Sequence, residues 1–192
     1  MSCMAPGSSP CPCAMAGTNA ARKACHHSDS NMEAIDLLVE QHRLLEAQLQ
    51  HLVSVAGKEA KQAALVEVGD HLGVHVASEE EIFYPAVRAR RTEDDLLESL
   101  EEHLSLKRLL ADLLELDADA ETFEPKCKVL REQAEHHHKE EEEHLFPKAR
   151  ALIGADGCER LGDEMLALQR RMRRDGEPRE VIADQTDEAA KL

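Results

Sequence analysis

The chain has 192 residues, a formal net charge of −16, no Trp, one Tyr and three Phe. That length suits one domain with a substantial core, and a core so poor in aromatics must be built from Leu, Val, Ile, Ala and Met, which predicts an all-α fold. The acidic balance, concentrated in runs such as Glu79 to Glu81 and Glu140 to Glu143, repels phosphate backbones and anionic lipid, so nucleic acid and membrane surfaces are excluded as partners.

Residues 1–30 are rich in Gly, Ser, Pro, Ala and Cys without periodicity. Such a composition buries too little apolar surface to offset its ordering entropy, and a disordered tail is expected. Its thiols and imidazoles, Cys3, Cys11, Cys13, Cys25, His26 and His27, are of a type that collects transition ions. A first helix is predicted from about Asn31, capped by Asp29, Ser30 or Asn31 and ending at Gly57, with the inward stripe Ile35, Leu38, His42, Leu45, Leu49 and Leu52. The second runs from Lys58, with Leu65, Val68, Leu72, His75, Glu79 and Ile82 on one face, until Pro85 bends or ends it. Thr92, followed three residues later by Asp95, is the expected cap of a third helix with the stripe Leu96, Leu100, His103, Leu106 or Lys107, Leu110 and Leu113. Asp117-Ala-Asp-Ala reads as a turn, and Pro125 suits the first turn of a fourth helix presenting Leu130, Ala134, His137, Glu141 and Leu145 before Pro147 repeats the bend. A shorter amphipathic helix is expected from Cys158 to about Arg173, and Asp175-Gly-Glu-Pro opens a charged tail expected to fray. The domain expectations are therefore a tail over 1–30, a bundle over 31–150, and a short C-terminal helix with its tail over 151–192. No stretch reaches the roughly 20 apolar residues of a bilayer span, and no secretory signal pattern opens the chain. A soluble, cytoplasmic protein with reduced cysteines is expected.

Two segments occur twice. His75-Val-Ala-Ser-Glu79 continues into Glu80, Glu81, Ile82, Phe83, Tyr84 and Pro85, and His137-His-Lys-Glu-Glu141 continues into Glu142, Glu143, His144, Leu145, Phe146 and Pro147. Upstream, the nine residues Gln41-His42-Arg-Leu-Leu-Glu-Ala-Gln-Leu49 echo Glu102-His103-Leu-Ser-Leu-Lys-Arg-Leu-Leu110, so the two echoes have periods of 62 and 61 residues. A repeat of that length is one helix pair, which predicts an up-down four-helix bundle of two pseudo-symmetric hairpins with a short fifth helix. His42, His75, Glu79, His103, His137 and Glu141 interrupt apolar stripes where Leu belongs, so they point inward. Ionised glutamates enclosed without a partner cost several kcal/mol or more, and Lys107 is the one Lys or Arg on these stripes. Two cations would supply the missing charge, because a His and a Glu at i, i+4 share a helix face and reach one ion. His136 with Glu140 and His138 with Glu142 have the same spacing, but the distance to Pro147 and the apolar stripe select His137 with Glu141. Imidazole and carboxylate without thiolate suit iron, with manganese or zinc as alternatives. His71, one turn before His75, is read as a satisfied, partly exposed side chain ahead of a fifth ligand or a group that orients one, His51 and His144 as surface residues, and Tyr84 as core ahead of a group that gates or hydrogen-bonds a bound oxygen species.

On these residues, the four stripe histidines, the two His-x-x-x-Glu motifs and the "EEEIFYP" and "EEEHLFP" segments, the chain resembles hemerythrin-like proteins of the HHE cation-binding family over about residues 32–150. The resemblance implies a four-helix bundle with an oxo- or hydroxo-bridged di-iron centre held by His42, His75, Glu79, His103, His137 and Glu141, taking oxygen, nitric oxide or peroxide as its small ligand. The oxygen carriers of that family place a second histidine one turn after the first on the third helix, where this chain has Lys107. The functions it suggests are small-ligand binding or sensing, iron donation or repair of iron-sulfur centres, and disproportionation of peroxide; the cysteine-pair domain of the repair proteins is not evident in residues 1–30.

Overall fold

A computed structural model describes residues 32–89 and 92–192. The disordered tail expected over 1–30, its cysteines and histidines, and the proposed caps Asp29 to Asn31 lie outside the described residues. Among the described residues every regular element is helical: α1 (Ala34–Ser54), α2 (Lys58–Ser78), a π-helical turn (Glu79–Phe83), α3 (Tyr84–Val87), α4 (Glu93–Glu115), α5 (Phe123–Glu140), a second π-helical turn (Glu141–Leu145), α6 (Phe146–Asp175) and α7 (Pro178–Ala183). α1 packs on α2 and α5, and α4 packs on α5 and α2, so these four close a ring.

Every position of the predicted stripes on α1, α4 and α5 is buried, because residues three and four apart share a helix face. Two apolar clusters result. One joins Leu45, Leu49, Leu72, Leu106, Leu110 and Leu130, and the other joins Leu38, Phe83, Tyr84, Leu96, Leu100 and Phe146. Along each helix the inward histidines and glutamates fall between the two, which makes a buried polar layer with an apolar layer on either side.

Of the two outcomes expected at Pro85, a bend or an end, neither Pro85 nor Pro147 shows an end. Each sits within the first turn of a helix that continues the chain, directly after a π turn in which the amide of Tyr84 reaches the carbonyl of Glu79 and that of Phe146 reaches Glu141. A proline ring collides with the carbonyl four residues back and offers no N–H; a turn one residue wider moves that carbonyl aside and keeps the helix running. The extra residue also shifts the helix phase. Phe83 and Tyr84 are therefore buried, and Ile82, predicted for the stripe, is only partly so.

Three further expectations are corrected. α1 starts at Ala34 behind Glu33, with no side-chain cap, and ends at Ser54; Gly57, at φ 94°, carries the link to α2. Thr92 precedes α4 but does not cap it: its hydroxyl donates to Val87 O and accepts from the Ala89 amide, while Asp95 pairs with Lys148. The fifth helix does not begin at Cys158; it is continuous with Phe146 apart from a break at Gly154, where φ is 68°.

The segment past Gly176, expected to fray, forms α7 and packs on α2 with Ile182 buried. Arg179 clamps Asp70 at 3.0 and 3.1 Å, and Arg108 holds the backbone carbonyls of Thr186 and Asp187. The approach is close because α2 carries Gly73 at the contact: a Cβ there would lie 2.7 Å from the Pro178 backbone. Gly73→Val is expected to overpack this seam at a cost of about 1–3 kcal/mol, lowering the melting temperature by several degrees at about 2–4 °C per kcal/mol. Thermal unfolding followed by circular dichroism measures it.

Candidate metal centre

The six residues singled out by the repeat converge. His42, His75, His103, His137, Glu79 and Glu141 are all within 1% of complete burial, drawn from α1, α2, α4, α5 and the first residue of each π turn. Two groups of ligand atoms are close enough to share an ion: His42, His75, Glu79 and Glu141 form one, and Glu79, His103 and His137 form the other. Each carboxylate stands between the two. Glu79 Oε2 lies 3.2 Å from His75 Nε2 and 3.3 Å from His103 Nε2, and Glu141 Oε2 lies 3.3 Å from His42 Nε2 and 3.6 Å from His137 Nε2. His103 Nε2 and His137 Nε2 are 2.9 Å apart.

The outward nitrogen of each imidazole is engaged, which turns the other one inward. His42 Nδ1 meets Glu142 at 2.9 Å, His103 Nδ1 meets Glu80 at 3.0 Å, His137 Nδ1 meets Glu102 at 2.8 Å and His75 Nδ1 meets Gln41 at 3.3 Å. The pattern obeys the repeat. The residue after each ligand-type glutamate holds the histidine of the opposite hairpin, and the residue before His42 or His103 holds the histidine of its own hairpin. A carboxylate or amide on Nδ1 fixes the ring orientation and leaves Nε2 with its lone pair facing the interior. Glu80 and Glu142 thus have a structural task, whereas Glu81 and Glu143 are exposed. Glu80 is itself held by Lys107 at 2.7 Å, and Lys107 by Gln185 at 3.0 Å. Glu142 is held by Arg43 at 2.6 Å, and Gln41 by Gln169 of α6 at 2.9 Å.

The interior is otherwise unsatisfied. His42 Nε2, His75 Nε2, both oxygens of Glu79 and Glu141 Oε2 are buried without a hydrogen-bond partner. Orphans of this kind each cost about 1–3 kcal/mol, and more when charged. Burial and the neighbouring Glu141 carboxylate push the Glu79 carboxyl well above its usual range. Burial would raise Glu141 too, but the His137 and His42 imidazoles hold it below that range. The two enclosed carboxyls are thus pushed in opposite directions. Burial also holds His75 and His103 down, so their rings are neutral and able to donate a lone pair. Unpaired, inward-facing, thiolate-free nitrogen and oxygen donors fit a pair of divalent or trivalent cations.

Of the other candidates, His71 bonds Gln48 at 2.7 Å and stays outside the cluster, and His144 is exposed beside Glu140. His136 is exposed beside Glu102. His138 is enclosed, 1% exposed, with neither ring nitrogen partnered; the triple-histidine run is its sequence signal, and the spacing to Pro147 selects only His137 from that run. Tyr84, read as core, donates its hydroxyl to Glu141 Oε1 at 2.8 Å and lies 3.2 Å from His103 Nε2. A recess of ≈20 Å³ lined by Glu98, Ser99, Glu102 and His144 reaches Glu141. It shares Glu98 and Glu102 with a larger acidic cleft between α4 and α5.

Comparison with known proteins agrees with this geometry. Over 98 residues the chain is 30% identical to a DNA nickase of Nostoc sp. (strain PCC 7120 / SAG 25.82 / UTEX 2576), a match that takes in 51% of this chain and spans only 28% of that protein. No solved structure matches significantly. The profile of the hemerythrin HHE cation binding domain matches residues 33–149, a span containing all six inward residues and both π turns. The chain belongs to the hemerythrin HHE cation-binding domain family.

Proposed function

We propose that the protein is a non-haem di-iron protein that binds or senses a small ligand such as oxygen, nitric oxide or peroxide. α1, α2, α4 and α5 form the up-down bundle of two hairpins, and His42, His75, Glu79, His103, His137 and Glu141 hold the two ions. The observation that carries this reading is the set of four imidazoles pinned from outside at Nδ1 around two carboxylates with unpartnered oxygens. Iron is favoured over manganese and zinc because the donors are imidazole and carboxylate only, a set suited to a redox-active ion. Bound there, the iron pair supplies Lewis acidity and electrons to a small ligand.

The chain's own residues do the rest. Glu80, Glu102, Glu142 and Gln41 keep the imidazoles oriented. Phe83 and Phe146, both enclosed in the apolar layer on that side of the cluster, keep bulk water out. Burial and the Glu141 and Glu79 carboxylates raise the Tyr84 phenol well above its usual range, so at neutral pH it remains an O–H donor toward the cluster. That donor favours a second reading, disproportionation of peroxide at the same centre, since it can hydrogen-bond an anionic oxygen species. Iron donation rests on the thiols of residues 1–30, which lie outside the described residues. The DNA activity named for the Nostoc protein is not carried over: a net charge of −16 opposes binding to a phosphate backbone.

Anaerobic loading with ferrous iron, desalting and metal analysis test the proposal. Two irons per chain are expected, together with an optical band that appears in air and shifts with azide; a desalted, folded protein free of iron would refute it. Oxygen evolution from peroxide, abolished by His137→Ala, would select the enzymatic reading over reversible binding.

A further inference from the structure

We propose that His138 is an additional ligand to the ion at His42 and His75, so that the two ions of the cluster are inequivalent. The inference rests on the dinuclear reading above and concerns a residue outside its six ligands. On a regular helix the residue after an inward-facing one is rotated about 100° away from it, yet His138 is 1% exposed. Its ring stacks on that of His42, with centroids 4.0 Å apart and planes 8° from parallel, and meets His75 edge to face at 5.5 Å. One ring nitrogen each from His42, His75 and His138 lie within 4.8 Å of one another. Neighbouring donors about 2.1 Å from a shared ion stand about 3.0–3.4 Å apart, and an imidazole binds an ion in its ring plane, so the His138 ring must tilt out of its stack on His42 to bring all three onto one centre.

Nothing else occupies this imidazole. Neither nitrogen has a hydrogen-bond partner, and in this respect it differs from the other four buried imidazoles, each of which has an outer carboxylate or amide. An imidazole enclosed with both nitrogens unpartnered beside two metal-facing imidazoles is suited to coordination. Packing alone does not call for it: 62 residues earlier the equivalent position is Val76, and an aliphatic side chain fills the space.

The same comparison shows that the repeat is broken in a paired way. His42 lies near His138 and Phe146, whereas His103 lies against Tyr84, the repeat partner of Phe146. One ion is thus provided with a third imidazole and an apolar ring, the other with a hydroxyl donor.

Mössbauer spectra of the full-length protein loaded with ferrous 57Fe, wild type and His138→Val, test the assignment, with circular dichroism to verify the fold. In the wild type two quadrupole doublets of equal area are expected. His138→Val should shift one of them, leave the other in place, and release one iron to a chelator at least ten times more readily. A single wild-type doublet, or a folded variant with both doublets and both iron affinities unchanged, overturns the role of His138 while leaving the dinuclear reading intact. Should the variant not fold, wild type against His138→Gln decides by the same two readouts. A wild type that retains no iron refutes both.

Discussion

Removing the metal from the loaded protein is expected to lower its melting temperature by roughly 10 °C or more. Six polar side chains sit in a layer enclosed by apolar residues on both sides, and several of their atoms have no partner within the protein. A ligand that binds only the folded state stabilises it by about 4 kcal/mol when present at a thousand times its dissociation constant, which corresponds to roughly 8–16 °C for a chain of this size. The sign reverses when the need for a cation is removed. Glu79→Met combined with Glu141→Met replaces the coupled carboxyls by side chains of similar length, and the metal-free double variant is expected to exceed metal-free wild type by about 1–4 kcal/mol, since enclosed charged groups are commonly less stable than apolar replacements. Scanning calorimetry with and without a chelator reads both effects. A wild-type melting curve indifferent to iron and chelator would show that the polar layer needs no cation, and the metal-centre reading would fail with it.

The stripes on α1, α4 and α5 were legible because a regular helix repeats its inward face every three to four residues, so His42, His103 and His137 could be placed by counting from Leu38, Leu100 and Ala134. The doubled segments added what periodicity lacks, a link between residues far apart in sequence, and the six side chains they single out do meet. Counting failed where the helix ceases to be regular. A π turn leaves no compositional mark of its own; here it has one indirect sign, a proline six residues after a buried glutamate, which in sequence reads as a bend or an end without showing the extra residue. The wider turn moves the inward face from Ile82 to Phe83 and Tyr84 and brings Tyr84 to Glu141. The partners of the outer nitrogens were accessible in principle, since Gln41 and Glu102, like Glu80 and Glu142, occupy matching places in the repeat. Only the three-dimensional crossing of the hairpins shows which histidine each one reaches. α7 was illegible by periodicity because it is a single turn and a half held by tertiary contacts, although Gly69 and Gly73, four residues apart on α2, mark a face built for close approach.

Lys107 occupies the place where the oxygen-carrying members of the family have a histidine, and its replacement by Met is expected to cost about 3 kcal/mol. Its side chain is 3% exposed and bonds Glu80, 8% exposed, at 2.7 Å; burial pushes the Glu80 carboxyl up, and His103 together with Lys107 more than reverses this. Removing one partner of an enclosed ion pair leaves the other charge uncompensated, a loss of about 3–5 kcal/mol in comparable sites, or a fall of roughly 10 °C in melting temperature. Glu80 also fixes Nδ1 of His103, so the variant should bind iron more weakly as well as melt earlier. Because Glu80 is the group left stranded, Glu80→Gln added to Lys107→Met should recover most of the stability, and a double-mutant cycle isolates that coupling. The wild-type contribution has a defined pH window. A carboxyl whose folded-state pKa lies below its unfolded value of 4.5 stabilises the fold above that pH and loses the effect as the pH falls through the lower, folded-state value. The stability gap between wild type and Lys107→Met should accordingly be full at pH 7 and narrow toward pH 3. A gap that is constant across that range would assign the loss to packing of the lysine stem on α4 rather than to its charge.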